Sequence, residues 1–311
     1  MKNKNDIQWD YIVKDQIDND GIKCRVDNDN QVNVFVQQTF TLDLTTASDT
    51  IRKCALLFYS NDYPIIGIEN LNGGGLVILA QIFHQLMQIK IQDRMHFAGR
   101  STDYYKKEIE AILNDIINVE TCKPFNDIDE LMDGIIDDYS TTSKQILHKR
   151  TKILDFSNKY IKEWTHDIRK YIYENSKPKR PTDIIIFTDG FSFSATSLFI
   201  KGFQKTGGAI TVGFNDNPKL SDDLFDASQS PTNVMTFSKS EEIQNLLNVG
   251  IVVVGISASE SFSYNYKNKN AIPLEYDFDP VDERVDIYNA YNDEIYQNFI
   301  DKGKEIFKKY N

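Results

Sequence analysis

Two serines follow a buried strand and precede a helix, which is a position where an α/β protein can hold a nucleophile. Residues Ile184–Phe187 form a short apolar, β-branched run, typical of a strand covered on both faces. Gly190 permits a sharp turn, and apolar residues at helical spacing follow from Ala195. Ser192 and Ser194 are therefore predicted to lie in the first turn of this helix, where free backbone N–H groups can stabilise an oxyanion. The simpler interpretation is that both are N-cap residues, because helix starts favour serine.

A glycine-rich turn earlier in the chain has the same place between a strand and a helix. Asn72–Gly75 follows the predicted strand Ile65–Ile68 and precedes a predicted helix that begins at Leu76. The turn lacks the glycine spacing of a dinucleotide site and the Lys-Ser/Thr pair of a P-loop, so no nucleotide or other cofactor is predicted. Its amides can instead complete an oxyanion hole. The structural alternative is a tight turn that needs positive φ.

Composition narrows the range of partners. The chain has 311 residues and a formal net charge of −11, which disfavours nucleic acid and anionic membranes, because both bind clustered Lys and Arg. No window has the length of a membrane span, and residues 1–10 contain no apolar stretch of the signal-peptide type. A cytoplasmic location is therefore the default expectation. Cys24, Cys54 and Cys122 are odd in number and widely spaced, which predicts buried free thiols rather than a disulfide or a zinc site.

The elements that would position the serines and glycines alternate between strands and helices. Residues 1–45 are predicted to form an N-terminal β segment, and residues 46–92 and 181–285 an α/β core of stacked βα units. Residues 93–180 are rich in charged and amide side chains with helical periodicity, and are interpreted as a helical insertion or lid. Residues 286–311 form an amphipathic C-terminal helix. Further predictions are helices at 104–117 and 156–173 and strands at 209–212 and 251–254.

The order of these motifs resembles one protease family. A strand, the turn Asn72–Gly75 and a helix are followed about 120 residues later by Ser192-Phe-Ser-Ala-Thr-Ser197 on a second helix, and then by Gly207–Gly213. This order is similar to the catalytic core of the tail-specific (C-terminal processing) serine proteases, peptidase family S41, and covers roughly residues 30–285. The resemblance implies a ClpP/crotonase-like α/β fold. It also implies a serine-type peptidase that cleaves peptides or proteins through an acyl-enzyme.

The resemblance carries over a role for several positions. The family's nucleophile is the middle serine of a Ser-x-Ser-Ala-Ser pattern, which falls on Ser194, while Thr196 stands where the third serine would be. The oxyanion hole is implied to use the amides of Ala195 and Gly75, with Gly74 as the near alternative.

The general base is the position for which the sequence leaves alternatives open. In the bacterial branch a lysine follows the serine by some two dozen residues, and Lys219 lies 25 residues after Ser194. A lysine base must be neutral, which requires burial, whereas the surrounding Asn and Asp residues predict a solvated loop. A second branch, similar to chlamydial protease-like enzymes and their eukaryotic relatives, uses an upstream histidine and a late glutamate, and Glu275 lies about where that glutamate would fall. The four histidines, His84, His96, His148 and His166, all follow the glycine-rich turn.

Two alternatives to an active peptidase remain open. One is a catalytically inactive S41-like binding module, or a fragment that lacks its upstream catalytic histidine, whose cleft would hold a peptide or an apolar small molecule. The other is a crotonase-type acyl-CoA enzyme, which builds an oxyanion hole from similar turns but does not need Ser194.

Overall fold

The chain divides into two compact units in a computed structural model. The first unit is Met1–Gln92, Ile161–Ser230 and Phe278–Asn311, and the second is Asp93–Tyr160 and Pro231–Asp277. The structure describes residues 8–87, 97–100, 116–118, 123–124, 126–127, 136–141, 144–149, 153–155, 170–172, 174–176, 179–215, 219, 225–227, 259–261, 277–288 and 293–311.

Strands and helices alternate along the first unit, and the described parts of the second unit are mainly strands. In chain order the elements are β1 (Tyr11–Lys14), β2 (Asp20–Asp27), β3 (Val32–Gln37), α1 (Leu44–Tyr59), β4 (Ile65–Glu69), α2 (Val77–Leu86), β5 (Phe97–Arg100), β6 (Ile116–Asn118), β7 (Lys123–Pro124), β8 (Ile136–Thr141), β9 (Lys144–Lys149), β10 (Ile153–Asp155), β11 (Ile184–Thr188), α3 (Ala195–Thr206), β12 (Ile210–Gly213), β13 (Ser259–Ser261), β14 (Glu283–Arg284) and α4 (Asp293–Tyr310).

A seven-stranded mixed sheet forms the centre of the first unit, in the order β1-β2-β3-β4-β11-β12-β14. The first three strands pair antiparallel, and the strands from β3 to β14 pair parallel. Gln37, Glu69 and Thr188 are in register at the ends of β3, β4 and β11. The turns that leave these strands therefore meet at one edge of the sheet, which is where α/β proteins place their sites.

Both faces of this sheet are covered. On one face α1, α2 and α3 pack through buried side chains that include Phe35, Phe83 and Phe199. On the other face α4 packs through Phe299 and Ile300. Strands covered on both faces need the apolar, β-branched sequences that β4, β11 and β12 carry. The predicted strand–turn–helix order of this unit is confirmed, including the parallel crossover from β11 through α3 to β12.

The prediction of free thiols is wrong for two of the three cysteines. Cys24 on β2 and Cys54 on α1 form a disulfide. Helix α1 packs against β2, which brings the two Cα atoms to 6.0 Å, within the range that a disulfide requires. Spacing along the sequence could not show this pair, because the contact is made by packing of the helix on the sheet. Cys122 lies outside the described residues.

The second unit contains strands that the sequence pattern did not predict. Its described residues form an antiparallel sheet β10-β6-β7 and a second antiparallel sheet β13-β5-β9-β8. The helices predicted at 104–117 and 156–173 lie mostly outside the described residues, and the strand predicted at 251–254 lies wholly outside them. Among the helices of the described ranges, none combines the length and the apolar character needed to cross a bilayer.

Candidate active site

Ser194 lies at the junction of β11 and α3 in a strained backbone conformation. Its φ of 52° and ψ of −119° fall in a region that costs a residue other than glycine about 1–3 kcal/mol. The helix begins at Ala195, and Ser194 occupies the N-cap position without a capping hydrogen bond from its side chain. Ser192 precedes the helix, so its predicted place in the first turn is wrong. Because Ser194 does not cap the helix, the capping interpretation does not account for the strain.

Gly74 brings the glycine-rich turn against the Ser194 turn. Its φ is 88°, and a Cβ atom added there would lie 2.4 Å from the Phe193 carbonyl oxygen, 2.9 Å from Ser194 Cβ and 3.2 Å from the Ala195 nitrogen. The first two of these contacts are shorter than real Cβ atoms make, so something would have to move. The close approach of the two turns therefore requires glycine at this position.

The amides of Gly75 and Ala195 differ from that of Gly74 in their hydrogen bonding, and Gly75 is exposed whereas Ala195 is buried. Gly75, with φ of 134°, pairs with Phe40 in an isolated parallel bridge, while the Gly74 amide donates to Asn72 Oδ1 at 3.0 Å. Within the described part of the chain, neither the Gly75 amide nor the Ala195 amide has a hydrogen-bond acceptor. Ala195 is also the first residue of α3, where the helix dipole favours negative charge. The geometry thus favours Gly75 over Gly74 as a donor to an oxyanion.

Asp189 ties the two turns together. One of its carboxylate oxygens accepts the Leu71 amide at 2.6 Å, and the other accepts the Phe191 amide at 3.0 Å. Burial raises the pKa of the Asp189 carboxyl above its usual range, while these amides oppose that rise because they favour the ionised form. The carboxylate is a shared acceptor for two segments that are 118 residues apart in sequence.

Asn72 fixes the shape of the glycine-rich turn from inside. Its Nδ2 donates to Glu69 Oε2 at 3.0 Å, its Oδ1 accepts the Gly74 amide at 3.0 Å, and its backbone oxygen accepts the Phe193 amide at 3.1 Å. The side chain is buried, so all three bonds are shielded from water and hold their geometry. The sequence motif included Asn72 only as part of the turn and gave it no role.

Glu69 is a buried acid at the end of β4 that the sequence reading missed. Burial raises the pKa of its carboxyl well above the usual range, the charge of Asp189 raises it further, and the hydrogen bond from Asn72 opposes both effects. Burial thus favours the neutral acid, and the negative charge at this edge of the sheet is expected on Asp189. The sequence did contain a sign of this buried acid, because a glutamate ends a predicted strand that is otherwise made of Ile and Gly.

The structure describes two of the candidate bases, and neither is in an environment that suits a base. The side chain of Lys219 is 81% exposed and lies 3.7 Å from Asp286, so it lacks the burial that a neutral lysine requires. His84 is buried between α2 and α3, where its Nε2 donates to the Phe199 carbonyl oxygen at 2.7 Å and burial lowers its pKa to about 4. Glu275, His96 and His166 lie outside the described residues, and His148 is described only as part of β9.

Two features of the described residues bear on metal and phosphate binding. Nowhere among them do three or more His, Cys, Asp or Glu side chains group as metal ligands. The Gly74 amide is already bound to Asn72, so the glycine-rich turn does not present a continuous row of free amides to a phosphate.

Comparisons with known proteins give distant structural similarities. No protein-family model matches the chain, and no curated protein sequence matches it. It aligns with mature CPAF complexed with lactacystin at 14% identity and a TM-score of 0.43, over 93% of this chain and 54% of that chain. A lipoprotein from Streptococcus agalactiae aligns at 12% identity and a TM-score of 0.43, over 92% of this chain and 71% of that chain. The photosystem II D1 C-terminal processing protease aligns at 7% identity and a TM-score of 0.34, over 82% of this chain and 42% of that chain.

Peptidases are thus among the structures that this mixed α/β fold resembles at a distance. The chain spans about half the length of the CPAF chain with which it aligns. Similarities this distant do not determine an activity, which has to be inferred from the site itself.

Proposed function

We propose that this chain is a serine hydrolase that cleaves peptide bonds, with Ser194 as its nucleophile and a ClpP/crotonase-like core of the S41 type. The observation that carries the proposal is the conformation of Ser194: a strained residue at a helix N-terminus whose side chain does not cap the helix. Strain of this kind persists only where the surrounding structure maintains it, and it concentrates at functional sites. The two turns supply that support through Asp189 and Asn72.

The proposed reaction is acyl transfer. Ser194 Oγ attacks the carbonyl carbon of a peptide bond, and the carbonyl oxygen, now an oxyanion, accepts hydrogen bonds from the amides of Gly75 and Ala195. The C–N bond then breaks, the amine leaves with the proton that the base took from Ser194, and water hydrolyses the serine ester. One donor of an oxyanion hole typically contributes about 10²–10³ in rate, so correct placement of both turns is a large part of catalysis.

We infer that the proton acceptor comes from outside the described residues. Lys219 is exposed and paired with Asp286, and His84 is held in the core by the Phe199 carbonyl. Glu275 stays the proposed carboxylate of the site by its resemblance to the family pattern. The exposure of Lys219 and the burial of His84 also favour a second candidate function, in which the site binds a peptide without cleaving it.

Labelling with a fluorophosphonate, which reacts with activated serines, distinguishes these functions. We expect the wild-type chain to be labelled, Ser194→Ala to be unlabelled, and the matched control Ser192→Ala to be labelled, because Ser192 lies outside the helix and two residues from the strained position. A folded wild-type chain that is not labelled would support the binding module. Labelling that persists in Ser194→Ala would place the nucleophile elsewhere. An acyl-CoA hydrolase activity indifferent to Ser194→Ala would support the crotonase-type alternative.

A further inference from the structure

We propose that the exposed apolar side chains of Leu71, Phe191 and Phe193 form a binding surface for an apolar residue that lies within two positions of the scissile bond of a peptide. The inference rests on the proposed function and names the class of substrate that the site would take. We call these three side chains the apolar rim.

The apolar rim is exposed although its neighbours in sequence are buried. Leu71, Phe191 and Phe193 are 48%, 69% and 38% exposed, whereas Asn72 and Ser194 are buried. Single exposed apolar residues are normal on a protein surface, but a contiguous group of them is typical of a binding site. Burial of one such side chain against a ligand is favourable, because apolar surface leaves water.

Backbone contacts hold the three residues close to each other and to Ser194. The amides of Leu71 and Phe191 bind the two oxygens of one carboxylate, that of Asp189. The Phe193 amide binds the Asn72 carbonyl at 3.1 Å, which attaches it to the residue after Leu71. Phe193 also precedes Ser194 directly. Because an extended chain advances about 3.3–3.6 Å per residue, a peptide whose carbonyl carbon is at Ser194 would pass the rim within two residues.

The backbone conformation of Leu71 is unfavourable for a leucine, which suggests a role in binding rather than in folding. Its φ is 46°, a region that disfavours residues other than Gly, Asn and Asp. A leucine that is half exposed in this conformation adds little to the core and carries strain. Because hydrogen bonds through Asp189 and Asn72 fix the backbone of both turns, the rim is preorganised, which lowers the entropic cost of binding.

The charges around the rim disfavour an acidic occupant. The segments 69–76 and 188–195 contain no Lys, Arg or His, and their two acidic side chains, Glu69 and Asp189, are buried beneath the turns. An acidic substrate residue would meet no cation on these turns and would be repelled by the Asp189 carboxylate. An apolar residue would contact the exposed apolar side chains of the rim and would avoid this repulsion.

The test compares two fluorophosphonate probes, one with an alkyl linker and one with an ethylene-glycol linker of equal length. For the wild-type chain we expect the second-order labelling rate to be at least about tenfold higher with the alkyl probe. In Phe191→Ser/Phe193→Ser the ratio of the two rates should fall below about threefold. The matched control is Ile17→Ser, because Ile17 is 78% exposed and lies on the turn between β1 and β2.

The outcomes separate the inference from the function on which it rests. Equal rates for both probes with the wild-type chain, or a ratio unchanged in the double variant, would overturn the apolar rim and leave the nucleophile in place. A ratio that falls equally in Ile17→Ser would also overturn it. No labelling by either probe would reject the proposed function and the inference with it.

Discussion

Replacing Gly74 by alanine should both destabilise the fold and disable the site. The added methyl group would lie 2.4 Å from the Phe193 carbonyl oxygen and 2.9 Å from Ser194 Cβ, at a φ of 88°. The positive φ costs about 1–2 kcal/mol and the overlap about 1–3 kcal/mol. The sum, about 2–5 kcal/mol, is a large part of the 5–15 kcal/mol that holds a typical domain folded. The two turns would relieve the overlap by moving apart.

Separation of the turns is expected to be costly for the reaction. A displacement of about 1 Å at a catalytic group can lower a rate about 10²-fold, so Gly74→Ala should reduce the rate of fluorophosphonate labelling by that factor or more. The rate and the free energy of unfolding in urea would be measured on the same preparations.

Two other glycines provide matched controls. Gly207 has φ of 59° and no atom within 4 Å of an added Cβ, while Gly73 has open space and no positive φ. Gly207→Ala should therefore lose only the conformational cost of positive φ, about 1–2 kcal/mol of stability. Gly73→Ala should lose neither this cost nor that of a steric overlap. Both variants should keep the labelling rate of the wild-type chain. Labelling of Gly74→Ala within threefold of that of Gly73→Ala would refute the reasoning. So would a loss of stability no larger than that of Gly207→Ala.

Four further perturbations follow from the contacts of the first unit. Asp189→Asn can accept only one of the two amides, so the labelling rate should fall about tenfold or more, whereas an unchanged rate would show that the carboxylate does not position the turns. Lys219→Ala should keep its labelling within about twofold, because the side chain is exposed and paired with Asp286; a complete loss would restore the lysine as base. Removal of the disulfide in Cys24→Ala/Cys54→Ala should lower the free energy of unfolding by about 2–4 kcal/mol, and intact-mass measurement with and without reductant should show the disulfide in the wild-type chain. His84 has its pKa lowered from 6.5 to about 4 by burial, so the unfolded chain binds the extra proton between these values, and the stability that His84 contributes is present above pH 6.5 and is lost as pH falls toward 4. Burial raises the pKa values of Glu69 and Asp189, which therefore change stability in the opposite direction, so the His84 contribution is measured as a difference. Between pH 6.5 and pH 5, urea unfolding should show that the wild-type chain loses about 2 kcal/mol more stability than His84→Phe.

The local part of the site could be predicted from the sequence. The apolar run at 184–187, the glycine at 190 and the helical spacing from Ala195 are each set by neighbouring residues, so periodicity was enough to place Ser194 between β11 and α3. The same holds for the glycine-rich turn between β4 and α2. That the two turns would meet was implied by the resemblance to the protease family, and the parallel pairing of β4 with β11 accounts for it, because parallel strands end at one edge of a sheet.

The long-range part of the site could not be predicted. Asp189 is an ordinary turn residue in the sequence, and its role depends on the Leu71 amide, 118 residues away. Glu69 and Gln37 are neighbours only because β3 and β4 pair in a particular register. The disulfide depends on the packing of α1 on β2, and the strands β5–β10 of the second unit lie in a stretch rich in charged and amide residues, where the sequence pattern favoured helices.

The hydrogen bonds that Asp189 accepts from both turns also constrain the time at which the site can form. Closing a flexible loop of 118 residues costs about 4 kcal/mol of chain entropy, and the strand partners β4 and β11 are separated by most of the second unit. During synthesis the glycine-rich turn is complete long before the serine turn exists. An oxyanion hole shared between the two turns therefore cannot appear in a nascent or partly folded chain. If Ser194 is the nucleophile that we propose, it would stay inert until the first unit has folded, and the proposed activity would be absent while the protein is being made.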